Sequence, residues 1–366
     1  MKSCLFLNLL GVKMKKQQYE NYWQLTLEYS DFYGNNFNEC LKIIIEFMDK
    51  NPQIDSQKYQ ELQEKVYAFN PKSDFASVRK SINQFFKLGF INNKFEGYHS
   101  KTKEFLHEQN RTKKKILYSE ILYDNASFSR SFRHPSNENE LKFLVKTIEY
   151  CGSITKENLL ALMYVKDTIH KNYLNKQELE QLTHHIMQMH AAERKYNQIA
   201  YLWNICTNIL TGIYLDQDNC LTLDRPDYSY TEKSANRDTY KQTLYKHLLY
   251  EESREFLSDV YCYVENLKYP LLVASHIKPY RVCDENEQFD KDNGLLLSKS
   301  IDQLFDQGWI SFENDGDIIL NENLDENLKK FLATKRIHPK ILNEKRLQYL
   351  AYHRKYVFNN SKQYKF

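Results

Sequence analysis

Apolar residues recur at helical spacing through most of the first two-thirds of the chain. NFNECLKIIIEFMDK (36–50), YQELQEKVYAF (59–69) and FASVRKSINQFFKLGFI (75–91) each place them three and four apart, as amphipathic helices with one buried stripe do. In the third run Asp74 stands where an N-cap belongs and Gly89 where a left-handed C-terminal residue belongs, after which FIN begins a strand. Helix, tight turn and strand in that order predict a winged-helix-like layout. Val78, Ile82, Phe85 and Phe86 would then face its core. Arg79, Lys80, Asn83, Gln84 and Lys87 would face outward, and these residue types reach phosphates and base edges in a major groove. A small helical bundle with a solvated basic face fits the same spacing.

A basic run, RTKKK at 111–115, reads as an exposed connector able to touch backbone phosphate. ELKFLVKTIEYCGSITKENLLALMY (140–164) then reads as a helix, a tight turn at Gly152 and a second helix capped by Thr155. Helix-turn-helix and plain helical hairpin fit it equally. AERKYNQIAYLWNICTNIL (192–210) is a further amphipathic helix, and the polar, turn-rich LDRPDYSYTEKSANRD (223–238) marks a boundary. A mainly α protein with a C-terminal α+β domain follows, divided at 1–110, 111–225 and 226–366.

The pattern changes at 271–312. LLVAS before His276 is strand-like, the stretch to Asp292 is polar, NGLLL is a turn into a second strand, and SKSIDQLFDQGW is a helix. Ser298 caps that helix and Gly308 stops it. Asp302 and Asp306 are four apart, so both carboxylates leave one face. Such a pair, with room for water and a phosphate, suits Mg²⁺, or Mn²⁺, better than Zn²⁺. His276 has the imidazole to take a proton from water near neutral pH. Asn293 has a short amide suited to bonding the loop backbone and so aiming His276, and Lys278 has an ammonium suited to a phosphate oxygen. Leu304, Phe305 and Trp309 are core residues of the helix, and His353 is a packing residue of the tail helix.

SHIKP, then NGLLL, then IDQLFDQGWISF with an acidic-Gly turn at Asp315 and Gly316, resembles the HNH nuclease family of the ββα-metal fold. The resemblance runs from about Arg237 through YLAYHRKYVF (349–358). It implies His276 as general base, Asn293 as the middle Asn, Asp302 at the helical metal-ligand position and Asp306 at a further ligand position. Two departures stand out. The residue before the base, often an Asp or His ligand in the wider superfamily, is Ser275, and no CxxC pair flanks the site, so no structural zinc is expected.

A helical reader joined to an HNH cutter resembles a type II restriction endonuclease of the type IIS kind, with double-stranded DNA as partner and transient pairing of two chains for double-strand cleavage. A low-specificity defence or toxin nuclease, and a non-catalytic DNA-binding regulator, are the alternatives. At 366 residues two or three domains are expected. Net charge is only +3, from 51 basic and 48 acidic residues, so any nucleic-acid surface must come from local clustering. The excess of Tyr (28) and Phe (21) matches the bias of a low-GC genome better than it marks an interface. Seven cysteines without a framework fit a reducing compartment, and CLFLNLLGV (4–12) is too short to span a bilayer and lacks a cleavage site. Cytoplasmic placement is expected, with no membrane association, and Met14 is an alternative start.

Overall fold

The computed structural model describes residues 23–189, 191–223 and 238–358, with backbone alone at 191–197. They form two compact units, divided between Leu223 and Asp238. Arg237, most of the boundary segment and the N-terminal apolar run lie outside the described residues.

The first unit begins with α1 (Asn35–Lys50), α2 (Ser56–Phe69) and α3 (Phe75–Lys87). Then come α4 (Thr102–His107), α5 (Arg111–Asn125), α6 (Glu140–Cys151), β1 (Ser153–Ile154) and α7 (Lys156–Leu162). It ends with α8 (Lys176–Gln188), α9 (Ala191–Asn204), β2 (Ile213–Leu215) and β3 (Leu221–Leu223). Aromatic packing organises its first half. Phe37, Phe85, Phe90, Phe105 and Tyr118 are all fully buried, and ring pairs such as Phe37–Phe85 (4.9 Å) and Phe90–Tyr118 (5.1 Å) meet at tilted or edge-on angles, the geometry aromatic quadrupoles favour. Tyr118 belongs to α5, so segments on both sides of residue 110 share one core.

The helix starts are set by the expected caps. Asp74 accepts from Ser77 N, and Thr155 and Asn158 form a reciprocal capping box. Gly89 and Gly152 both have positive φ where their helices end. RTKKK, expected as a connector, is instead the first turn of α5, capped by Asn110, with Lys113, Lys114 and Lys115 half-buried.

Two outward assignments on α3 are corrected. Gln84 is fully buried: its Oε1 accepts from Glu28 N (2.8 Å) and Tyr29 N (2.9 Å), and its Nε2 donates to Tyr29 O (2.9 Å). Lys87 is 8% exposed, donates to Gln24 O, and is pushed by burial to a pKa of about 8. The extended segment before α1 covers the α3 face that the periodicity left to solvent. The strand expected after Gly89 is also not extended into a wing among the described residues. After Gly89 only an isolated bridge, Ile91 to Tyr98, forms. The antiparallel strands lie at the end of the unit, in the order β1-β3-β2, with Thr222 opposite both Ser153 and Tyr214.

The second unit contains α10 (Thr239–Leu257), β4 (Val273–His276), β5 (Gly294–Leu297) and α11 (Lys299–Asp306). β6 (Ile310–Phe312), β7 (Ile318–Leu320), α12 (Glu326–Leu332) and α13 (Glu344–His353) follow. β4 and β5 pair antiparallel, His276 opposite Gly294 and Ser275 opposite Leu295. A two-stranded hairpin is marginal alone. Here α10 and α11 both pack on it, and Leu295, Leu296 and Leu297 are fully buried with Phe305, Ile310, Phe312 and Leu350 in one core. Among the described residues no helix is long and apolar enough to cross a membrane.

Replacing Gln84 with Leu leaves the backbone N–H groups of Glu28 and Tyr29 and the carbonyl of Tyr29 without their partners. It should lower stability by about 2–4 kcal/mol, read from urea unfolding; an unchanged midpoint would contradict the buried assignment.

Candidate active site

The hairpin and α11 bring Ser275 and Asp306 together, with Asp302 on the same helix, whereas His276, the next residue on β4, takes the opposite strand face and stacks on Tyr245 of α10. Ser298 accepts from Ile301 N at the start of α11, and Gly308 ends it at φ 73°. Ile301 and Phe305 are buried, which directs Asp302 and Asp306 along the flank of the helix facing β4. The β4 side chain that meets them is Ser275. Its hydroxyl donates to Asp306 Oδ1 (3.4 Å). Burial pushes the Asp302 carboxyl above its ordinary range, against the pull of the Ser275 hydroxyl, and Asp302 Oδ1 is buried with no hydrogen-bond partner among the described residues. Asp306 is exposed.

His276 is the next residue along β4, and its ring is fixed by other groups. Nε2 lies 2.9 Å from the carbonyl oxygen of Gln288. A carbonyl only accepts, so Nε2 carries the proton, and in the neutral ring Nδ1 holds the lone pair. Tyr245 of α10 stacks on the imidazole at 4.7 Å and 16°, and Tyr280 meets it edge-on at 5.5 Å.

Asn293 is fully buried and ties down the loop that carries Gln288. Its Oδ1 accepts from Lys278 N (2.7 Å). Its Nδ2 lies near Lys278 O (3.3 Å), Glu287 O (3.1 Å) and Cys283 Sγ (3.2 Å). Its carbonyl accepts from Ile277 N (3.0 Å) and lies 3.1 Å from the Tyr245 hydroxyl. A Cβ at residue 294 would collide with that hydroxyl and with Leu249, so only glycine admits this approach of helix to hairpin.

Lys278 is turned away from the phosphate role expected of it. Its ammonium pairs with Glu287, which holds it above the ordinary lysine range, and lies 5.3 Å from the centre of the Tyr352 ring. His353 is buried: Nε2 donates to Phe305 O (3.0 Å), Nδ1 lies 3.0 Å from Ser311 Oγ, and the ring stacks on Phe305 at 3.8 Å. Burial lowers its pKa to about 4.

A family model described as HNH endonuclease matches residues 262–313. An HNH endonuclease domain is present there. The match covers β4, the Asn293 loop, β5, α11 and β6, a narrower span than the last third of the chain. No curated protein matches the chain. HNH domains generally use a divalent metal; among the described residues no group of three or more His, Cys, Asp or Glu side chains is placed to hold one. The two expected ligands, Asp302 and Asp306, both lie on α11. The unpartnered buried oxygen of Asp302 fits a hard cation whose other positions are taken by water and phosphate oxygens.

The supporting groups are ones the sequence does not point to. Arg346 of α13 is fully buried and pairs with the nearly buried Glu252 of α10 at 2.9 Å, while its second Nη2 bond goes to Lys291 O (2.9 Å), in the turn just before Asn293. Tyr263 donates to Glu252 at 2.9 Å, and Asn343 to Asp292 at 2.9 Å. Tyr245, Glu252 and Arg346 lie on regular helices far from the motif in sequence, and no spacing rule marks them.

Replacing Arg346 with Met should destabilise the protein by about 3–5 kcal/mol, because Glu252 is left charged and buried. Adding Glu252→Gln should return part of that loss; urea unfolding of the single and double variants measures it, and additive losses would contradict the pairing. For His353 the folded pKa is depressed below the ordinary 6.5, so its contribution is present above that value and fades as pH falls toward about 4. Near pH 5 the loss should be about 2 kcal/mol, and should vanish in His353→Gln; an equally steep decline in the variant would contradict the assignment.

Proposed function

We propose that this chain is a metal-dependent endodeoxyribonuclease that cuts double-stranded DNA, and specifically a type II restriction enzyme of the type IIS kind. The observation that carries the reading is the seating of His276. Its Nε2–H is held by Gln288 O, so Nδ1 is the basic nitrogen, and the preceding residue on β4, Ser275, donates to Asp306 of α11. Asp302 and Asp306 would hold the divalent cation, Mg²⁺ or Mn²⁺, with Ser275 orienting Asp306. When bound, that ion polarises the phosphate and stabilises charge on the leaving oxygen.

His276 Nδ1 takes a proton from the attacking water as the water oxygen bonds phosphorus and the leaving oxygen departs with the electrons of the broken P–O bond. Gln288 O stabilises the imidazolium that results, through the same Nε2–H bond. Asn293 is a positioning residue that acts through the loop. Glu287 partly neutralises Lys278, so the cation here serves loop structure more than phosphate contact.

One such site cuts one strand, so double-strand cleavage requires two chains to pair transiently. The first unit supplies DNA affinity, with Arg79, Lys80 and Asn83 as contacts. The order α6, β1, α7, α8, α9, β2, β3 with sheet order β1-β3-β2 supports a winged-helix reading of residues 140–223 instead of 75–91. A second reading, a DNA-binding regulator without catalysis, draws on Ser275 at the ligand position and on the two-carboxylate set.

Plasmid incubated with the protein and Mg²⁺ should be cut at fixed distances from a shared short word, and EDTA should stop cutting. His276→Ala should slow cleavage by about 10²–10⁴-fold with DNA binding retained, and Asp302→Asn should slow it more than Asp306→Asn. Cutting by His276→Ala at the wild-type rate would overturn the base assignment. Unpatterned ends would favour a low-specificity nuclease, and no metal-dependent cutting the regulator.

A further inference from the structure

A cleft in the first unit gathers cationic groups without any carboxylate. It is lined by Tyr59 of α2, Arg79 and Asn83 of α3, and the loop residues Ser131, Phe132, Arg133 and His134, with a cavity volume of about 170 Å³, smaller than a drug-sized ligand site and suited to a single phosphate group. The loop is held in place by two contacts. Phe132 N donates to Asn83 Oδ1 (3.2 Å), and the Phe132 ring stacks on Tyr59 at 4.1 Å and 28°. Ser131 and His134 close a tight turn through reciprocal backbone bonds (2.9 and 3.3 Å).

Both guanidinium groups act on the Tyr59 hydroxyl, which burial pushes up to about 12 against their opposing pull. Neither Arg79 nor Arg133 forms an ion pair or hydrogen bond among the described residues. Two such arginines converging from a helix and a braced loop, in a chain of nearly balanced charge, form a concentrated positive site. Arginine forks match the oxygens of phosphate in paired bonds, and the Ser131 hydroxyl and His134 ring add donors beside them.

We propose that this cleft is a nucleotide-phosphate site, with Arg79 and Arg133 as its paired anchors. The phosphate comes either from a diester within a DNA strand or from the terminal monoester of a free nucleotide. In the first case the inference deepens the nuclease reading and rests on it; in the second it stands apart. The site also changes how α3 meets a ligand. The helix contributes one side of a cleft, and Gln84 and Lys87 brace it from within.

The test measures binding of a short blunt DNA duplex and of dAMP by the full-length protein in EDTA, so that no cleavage intervenes. Arg79→Gln and Arg133→Gln should each weaken binding of the preferred probe about tenfold and reduce the duplex salt slope by about one. Lys42→Gln, on the exposed face of α1 and outside the cleft, should change it much less. Arg133 is exposed, so its variant leaves the core intact; unchanged melting confirms that. Preference for the duplex identifies a strand phosphate and preference for dAMP a terminal one. Wild-type protein that binds neither probe, or arginine variants that bind as tightly as wild type, would overturn the proposal. In the latter case Mg²⁺-dependent plasmid cutting would show the nuclease reading intact, whereas dAMP binding without cutting would leave the cleft standing and the nuclease reading lost.

Discussion

One buried carboxamide constrains the second unit more than any other group. The loop between β4 and β5 is long and polar, and closing it carries an entropic cost that a two-stranded hairpin does not offset. Asn293 bonds both ends of the Lys278 peptide and the Glu287 carbonyl, which fixes the path of the loop where Gln288 turns its own carbonyl to His276. Without that bracing the imidazole would keep its stack on Tyr245 but lose the bond that selects its tautomer. The same turn is held from behind by Arg346, whose bond to Lys291 O depends on the buried pairing with Glu252. The geometry around His276 is thus anchored to α10 and α13, elements outside the residues that the family model matches.

This arrangement explains which features were legible in the sequence. Local rules located the strand, loop, strand and helix of residues 271–308, because Ser298, Gly308 and the apolar run of β5 each act within a few residues. The helices of the first unit and their caps at Asp74 and Thr155 were legible for the same reason. What escaped were contacts made across long separations. Periodicity marks one apolar stripe on α3, yet the backbone around Tyr29 covers a second face, and a glutamine and a lysine there serve the interior. RTKKK reads as a connector by charge, but Asn110 caps it into a helix whose stems pack inward. The strand pair expected after Gly89 forms more than a hundred residues later, since β-pairing is settled by the tertiary partner available.

The two carboxylates of α11 illustrate how composition and structure divide the question of a metal. Spacing places both on one helical face, and the structure adds that one oxygen of Asp302 is buried without a partner among the described residues while Ser275 donates to Asp306. A site with two protein carboxylates leaves positions for water and phosphate, which suits a hard cation that retains part of its hydration. Charge in the first unit follows a comparable logic. With a net of only +3, affinity for an anion depends on where arginines converge, and the cleft between α2, α3 and the 131–134 loop is such a place.

The claim on which the functional account rests is that His276 holds its proton on Nε2 and presents Nδ1 as the base. Nitrogen NMR of the full-length protein labelled in histidine, with His276→Ala used to assign the signal, reads this directly near neutral pH. The account predicts a neutral ring in the Nε2–H form; a ring protonated on Nδ1 instead would contradict it.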